Sequence, residues 1–446
     1  MKASQRIAEF ADRFADYPLS SNQMHIAYRA LLDTYACAIA GRHERAVQIT
    51  QAYTAEQAGH GKAWQWGGEV RLPAETAAFI NGIAAHILDY DDVMTPMRAH
   101  VSATLVPALA ALALEDGVDG RRYARAYIAG FEVMAKFARA MALPHYSKGW
   151  HSTSALGILG TTTACAVLLG LPIDQTAHAL GLAVAQASGS RENFGTMAKS
   201  FQSAHGAACS VRAALLARHG MTASDTAIDG PFGFMSLYAA REDISSALGA
   251  LAKDGLEIDS TGIDIKKYPC CYALHRALDA IMDLARLHGV SAGEVNAVQV
   301  MTSAGGLQAL MSRPPASGLE AKFSMEFGIA CALSEGVVRL ASFSDEAVLR
   351  ADIRQMMAKV HVAEASGDIL PRWSQVSLQL MDGTALNRKA SIAHGDAGDP
   401  LSDEELIRKV EDCFVFGRYE MNARDFANKV FTLSDRPLAT VFAPGN

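Results

Sequence analysis

Residues 72–115 read LPAETAAFINGIAAHILDYDDVMTPMRAHVSATLVPALAALALE, two apolar stretches around a knot of three aspartates. The flanks, 72–88 and 101–115, are rich in Ala, Ile and Leu on all sides. That pattern predicts helices packed by others on every face rather than a one-sided surface stripe. Between them Asp89, Asp91 and Asp92 concentrate negative charge in an apolar neighbourhood, and His100 closes the turn. Burying such charge is costly unless a cation or acid/base chemistry compensates it. The stretch therefore predicts a helical core with a functional turn set into it.

The helical texture extends outward to about residue 255. Leu31, Leu32, Tyr35 and Ile39 recur at helical spacing, and Gly41 is placed to stop that helix. Asp119–Gly120 opens another with Tyr123, Tyr127, Phe131 and Met134. The 157–169 run is small and apolar on every side; Gly170 and Pro172 end it, and Asp174 is expected to cap the next helix through Ala187. Near residue 258 the pattern changes. Residues 295–302 (VNAVQVMT) and 376–381 read as strands, the second running into an Asp382–Gly383 turn, with helical stretches at 321–333 and 345–358 between them. Ser402 and Glu405 then form a capping box before the amphipathic 401–414 segment. The reading is a mainly α protein: a large all-helical domain (1–262 and 402–446) with an inserted smaller α+β lid domain (263–401).

A chain of 446 residues is long enough for two cores. A net charge of -7 and the lack of a basic, aromatic-interleaved patch argue against nucleic acid as a partner. The longest apolar runs, such as 103–114, fall short of a membrane span, and the amphipathic N-terminus has no signal-type apolar region. Seven cysteines without metal-type spacing suggest free thiols and a cytoplasmic location. The adjacent Cys270 and Cys271 are expected to be a buried small-hydrophobe pair.

Further polar clusters interrupt the apolar background: His100, Tyr146 to His151, Arg191 to Lys199, Lys266–Lys267–Tyr268–Pro269, and Arg313–Pro314–Pro315. Taken singly, a histidine beside a helix can be a cap and a lysine pair a solvated face. Taken together they admit two chemistries. Magnesium held by the aspartates for a diphosphate substrate would need a second metal-binding motif, which the sequence lacks, and would leave the histidines idle. Removal of a proton next to a carboxylate uses all of them: a positioned base, plus cations that stabilise the enolate-like charge. A non-catalytic helical scaffold is the third possibility; it requires no pocket between the domains.

Six motifs then carry a family resemblance: HILDYDD with His100, G-W-H-S-T, A-K-S-F-Q-S-A-H-G, I-K-K-Y-P-C-C-Y-A-L-H, L-E-A-K-F-S and H-G-D-A-G-D-P-L-S-D-E-E-L. In this order, from about residue 5 to 430, they resemble the MmgE/PrpD family, which includes 2-methylcitrate dehydratase, cis-aconitate decarboxylase and iminodisuccinate epimerase. The resemblance implies a helical domain closed by an α+β lid, a homodimer, no metal and no organic cofactor. Carried over motif by motif, it implies His151, Lys199, Tyr146 and Asp89 as catalytic residues. Lys266, His100, Gln202 and Arg313 would bind a small di- or tricarboxylate.

Where many members have D-D-T-H, this chain has Asp91–Asp92–Val93–Met94. Cys271 stands where the decarboxylase branch has a histidine, and Leu310 where that branch has a tyrosine before R-P. These departures favour epimerisation of a small dicarboxylate of the iminodisuccinate type. A 2-methylcitrate-type dehydration is the alternative, followed by a cis-aconitate-type decarboxylation.

Overall fold

The computed structural model describes residues 1–446 except 58, 114–116, 240–242, 254 and 444–446. The end of the helix expected over 101–115 therefore lies outside the described residues. The acidic stretch is built as expected around it. Helix α1 (Ser21–Gly41) packs against α2 (Ala74–His86), which leads through the turn into α3 (Ser102–Leu112). Next come α4 (Gly120–Ser147), α5 (Gly157–Leu169) and α6 (Met197–Arg218). Asp119 caps α4 by accepting from the Arg122 N–H at 2.8 Å, and Gly170 ends α5 in a left-handed conformation. Asp174 is not a cap: Pro172 takes that position and Asp174 lies in the first turn of the following helix.

Small residues set the helix spacing. A Cβ on Gly160 would lie 2.5 Å from the Gly130 carbonyl oxygen, so α4 and α5 touch backbone to backbone at this pair. The stretch Ser152–Leu169 is apolar enough to cross a membrane by length and composition, yet it is 94% buried inside the molecule and serves as a core helix.

A second apolar cluster, running from Tyr268 to Ala390, is separate from the helical one. Helices α7 (His275–His288) and α8 (Met325–Glu335) pack with strands β1 (Val295–Thr302), β2 (Val360–Glu364), β3 (Ser374–Leu380) and β4 (Ala385–Ala390). The sheet order is β2-β1-β3-β4, with β1 and β2 parallel and the other pairs antiparallel. Alternation along the strands buries Val298, Val300, Val376 and Leu378, which stand opposite one another across β1 and β3. The expected 321–333 helix is interrupted, because Ser324 starts a new helix by accepting from the Phe327 N–H. The 345–358 stretch likewise breaks at Arg350, whose backbone is extended.

The chain then returns. Helix α9 (Asp403–Phe416) starts with the Ser402–Glu405 capping box and packs along α1, and Phe426 stacks on Tyr35 at 4.6 Å. Lys409 of α9 ion-pairs with buried Asp33 of α1 and donates to the Tyr90 carbonyl at 2.7 Å. The returning tail thus fastens the acidic turn from behind. All seven cysteines are free; Cys270 is buried in the second core, whereas Cys271 reaches a cavity.

Candidate active site

After α2 the chain makes one more turn and reverses at Asp89, which has φ +53° and donates its N–H to the His86 carbonyl at 3.1 Å. A left-handed aspartate costs energy, on the order of 1–3 kcal/mol, and persists only where its surroundings hold it. Here they do. The Asp89 carboxylate is ion-paired with Lys199 and, at 3.0 Å, with Lys266, which also donates to the Asp89 carbonyl at 2.7 Å. Burial pushes this carboxyl up, but the two ammonium groups outweigh it and hold it well below the usual carboxylate range. Burial opposes the charge on Lys266 too, and the Asp89 and Asp91 carboxylates more than restore it, leaving its pKa raised.

His100 Nε2 lies 3.4 Å from Asp89 Oδ1, and its Nδ1 lies 3.0 Å from Asp91 Oδ2. Asp91 Oδ2 also receives His86 Nδ1 at 2.8 Å. Burial drives the His86 pKa down to about 4, so His86 is a neutral donor toward Asp91 and its Nε2 is a bare, unpartnered acceptor. Asp92 accepts from the Ser102 N–H at 3.1 Å and from its hydroxyl, which braces the start of α3. The three aspartates thus divide: Asp89 holds lysines, Asp91 holds imidazoles, and Asp92 holds a helix end.

His151 enters from the loop before the short helix Ser152–Ala155. Its N–H donates to Gly189 O at 3.1 Å, and its Nδ1 is 3.1 Å from Gln202 Oε1 on α6. Gly189 has φ +122°, and a Cβ there would meet Gln202 Oε1 at 2.9 Å, so only glycine allows this approach. Burial, reinforced by His86, Lys199 and His100, lowers the His151 pKa well below 6.5. It is a neutral imidazole at pH 7. Lys199 lies one turn before Gln202 on α6, with the rings of Phe194 and Phe323 at 5.6 and 5.4 Å from its ammonium.

Asp89, His100, His151, Lys199, Tyr146 and Cys271 all line one cavity of about 970 Å³, whose walls come from both clusters. Burial raises the Tyr146 phenol, and the Arg191 guanidinium sits 3.7 Å from its ring centroid. Several sequence-based placements differ. Arg313 is exposed and turned to Glu320 at 2.6 Å, away from the cavity, because the acidic first turn of its neighbouring helix captures it. Lys266 is fully buried beneath Asp89, so it supports the carboxylate instead of presenting itself to a ligand. Gln202 orients His151 and does not itself line the cavity. Val93 lines the cavity, but Met94 is buried in the helical core and Leu310 packs on the second core.

Among the cavity residues that went unnoticed in the sequence are Arg98, Arg276 and Arg372. Arg98 lies inside the opening stretch and Arg276 follows the Y-A-L-H motif, so proximity to motifs could have flagged them. Arg372 carries no such signal.

A helical domain and a small sheet domain thus enclose a cavity at which Lys199, Asp89, His100 and His151 meet. The chain belongs to the MmgE/PrpD family: the MmgE/PrpD N-terminal domain matches residues 5–247 and the C-terminal domain residues 268–425. Human cis-aconitate decarboxylase is 28% identical over 85% of this chain and 81% of its own length. The mouse cis-aconitate decarboxylase is 26% identical over 92% and 85%, and that of Aspergillus terreus 24% identical over 91% and 88%.

Proposed function

We propose that this protein is a cofactor-independent acid/base enzyme that removes and returns a proton on the carbon next to a carboxylate of a small di- or tricarboxylate, with epimerisation as its reaction. The observation that carries this reading is the Asp89-centred cluster. It holds Lys199 and His100 at the cavity wall while His151 stays neutral nearby. In the proposed cycle, a substrate carboxylate binds the Lys199 ammonium and His100. His151 takes the proton from the adjacent carbon, and the electron pair moves into the carboxylate as an enediolate. The cations stabilise that charge as it develops. Return of a proton to the opposite face, with the neutral Tyr146 phenol as donor, completes inversion; water then reprotonates Tyr146 while His151 releases its proton.

Cys271 supports epimerisation over decarboxylation. Its thiol, raised by burial, faces the cavity where the resemblance leads one to expect an imidazole in the decarboxylase branch. The names of the relatives favour a second reading, loss of CO₂ from a cis-aconitate-like tricarboxylate, followed by protonation of the resulting carbanion by the same groups. Incubation of candidate di- and tricarboxylates in D₂O, followed by NMR, separates the two. Deuterium next to a carboxylate with inversion and no change in carbon count is expected; released CO₂ selects the second reading, and no exchange with any candidate overturns both.

The proposal includes a homodimer. Phe232 is 90% exposed and Leu237 61% exposed on one short segment, which suits a covered surface. Light scattering should give about twice the 47.5 kDa chain mass.

A further inference from the structure

The cavity carries more positive charge than the Asp89 cluster uses. Arg139, one of its cations, is already committed to Glu257 at 2.7 Å. Arg98, Arg276 and Arg372 are not committed in that way. Arg98 reaches the neutral Gln308 amide oxygen at 3.4 Å and the Tyr146 ring at 5.3 Å, and Arg372 the Ala304 carbonyl at 3.2 Å. Arg276 donates to the Ser391 carbonyl at 2.9 Å and keeps Asp396 at 3.8 Å. Among the described residues, neither Arg98 nor Arg372 forms an ion pair with a carboxylate.

Arg98 is held by the acidic stretch of the helical domain, at a left-handed residue (φ +53°) that ends a short 3-10 turn. Arg276 and Arg372 belong to the sheet domain, on α7 and just before β3. Burial lowers the Arg372 pKa to about 10, and Arg98 and Arg276 push it further in the same direction against Glu364, so Arg372 feels both of the other guanidinium groups. Apart from Asp89, the one acid lining the cavity among the described residues is Asp368. Mutually repelling cations, two of them half-buried without an ion-paired carboxylate, are costly, and an anion between them would relieve that cost.

We propose that Arg98, Arg276 and Arg372 form a second carboxylate subsite, which binds the far carboxylate of the substrate across the seam between the two domains. This rests on the proposed chemistry for the near carboxylate and narrows the substrate to diacids or triacids with carboxylates at both ends. Arg98 on one wall and Arg372 on the other would engage the same group, so binding also draws the domains together. Gln308, which already meets Arg98 and accepts from Arg191 at its carbonyl at 2.8 Å, marks the crossing point.

The test is calorimetric binding of succinate, glutarate and adipate, each against its monoamide, to the full-length protein. The best-fitting diacid should bind about 10–100-fold tighter than its monoamide, as loss of one charge-assisted pair implies. In Arg372→Gln that ratio should fall to about 3 or less, and in Arg98→Gln as well, which keeps the test alive if one variant fails to fold. Unchanged ratios in folded variants overturn the subsite. So does saturation by inorganic phosphate as tight as that of the diacids, which would mark a general oxyanion trap. Failure of the carbanion chemistry shows up instead as absent deuterium exchange while the diacid preference persists.

Discussion

The two ends of the cavity treat charge in opposite ways. At the acidic turn the charged groups are held in close pairs: Asp89 with Lys199 and Lys266, Asp91 between His100 and the neutral His86, and Lys409 with Asp33 behind the turn. At the other end Arg98 and Arg372 contact neutral groups, an amide oxygen, a carbonyl oxygen and the Tyr146 ring. A densely paired buried network is rigid and places its groups in advance, whereas cations without a counter-charge gain their partner on binding. The first end suits chemistry and the second suits recognition. The comparison can be broken by asking which end carries turnover, which carries stability, and how pH divides them.

Turnover should depend most on the acidic end. His151→Ala is expected to lower kcat about 10²–10⁴-fold, the usual yield of a positioned acid/base group, with little change in the melting temperature. Because His151 titrates well below 6.5, kcat/KM for the wild type should stay flat from pH 8 down to 6.5 and fall only at lower pH, as the imidazole gains its proton. A fall already centred at 6.5 or above would remove His151 as the base.

Stability should also sit at that end. Asp89→Asn leaves Lys266 fully buried without its counter-charge, and breaking a buried pair this way costs about 3–5 kcal/mol. Urea unfolding should show it as a shift of the midpoint at unchanged slope. A loss under about 1 kcal/mol would mean that the network is not a buried one.

How this division was legible in the sequence differs between the ends. The acidic turn announced itself, since three aspartates inside an apolar helical stretch demand compensation, and the motif residues His100, His151 and Lys199 do meet at one cavity. Partnership was harder to read. Asp91 holds His100, because a one-residue choice of backbone direction at Asp89 decides which carboxylate faces which ring. The arginine end assembles residues 98, 276 and 372 from two domains, so no local pattern could bring them together, and Arg313 was a plausible but misplaced substitute. Fold legibility followed the same rule. Capping boxes and strand alternation are local and were readable, whereas the breaks at Ser324 and Arg350 depend on tertiary packing.

A gentler test concerns Asp92. Burial, with Asp33 nearby, raises its carboxyl to about 7 from 3.8. Between those values the folded protein keeps a proton that the unfolded chain has released, so this group's contribution falls as pH rises from 4 to 7 and is constant above. Asp92→Asn keeps an acceptor for the Ser102 N–H and removes the titration. From pH 5 to 7 the wild type should therefore lose roughly 2 kcal/mol that the variant does not, measured by unfolding at each pH. Parallel profiles would show that Asp92 is ionised throughout.

The smallest expected effect lies at the arginine end, and it discriminates most sharply. If Arg372 is waiting for a ligand, removing it from the free protein takes away one bond to the Ala304 carbonyl and the pull of Glu364, together with repulsion from Arg98 and Arg276. These oppose each other, so Arg372→Gln should change the unfolding free energy by no more than about 0.5 kcal/mol, as for an uncommitted surface group. Added diacid should then stabilise the wild type by a larger margin than the variant, because only binding to the folded state shifts the equilibrium. A clear destabilisation of the free variant would make Arg372 a structural cation, and the contrast between the two ends would collapse into one continuous network.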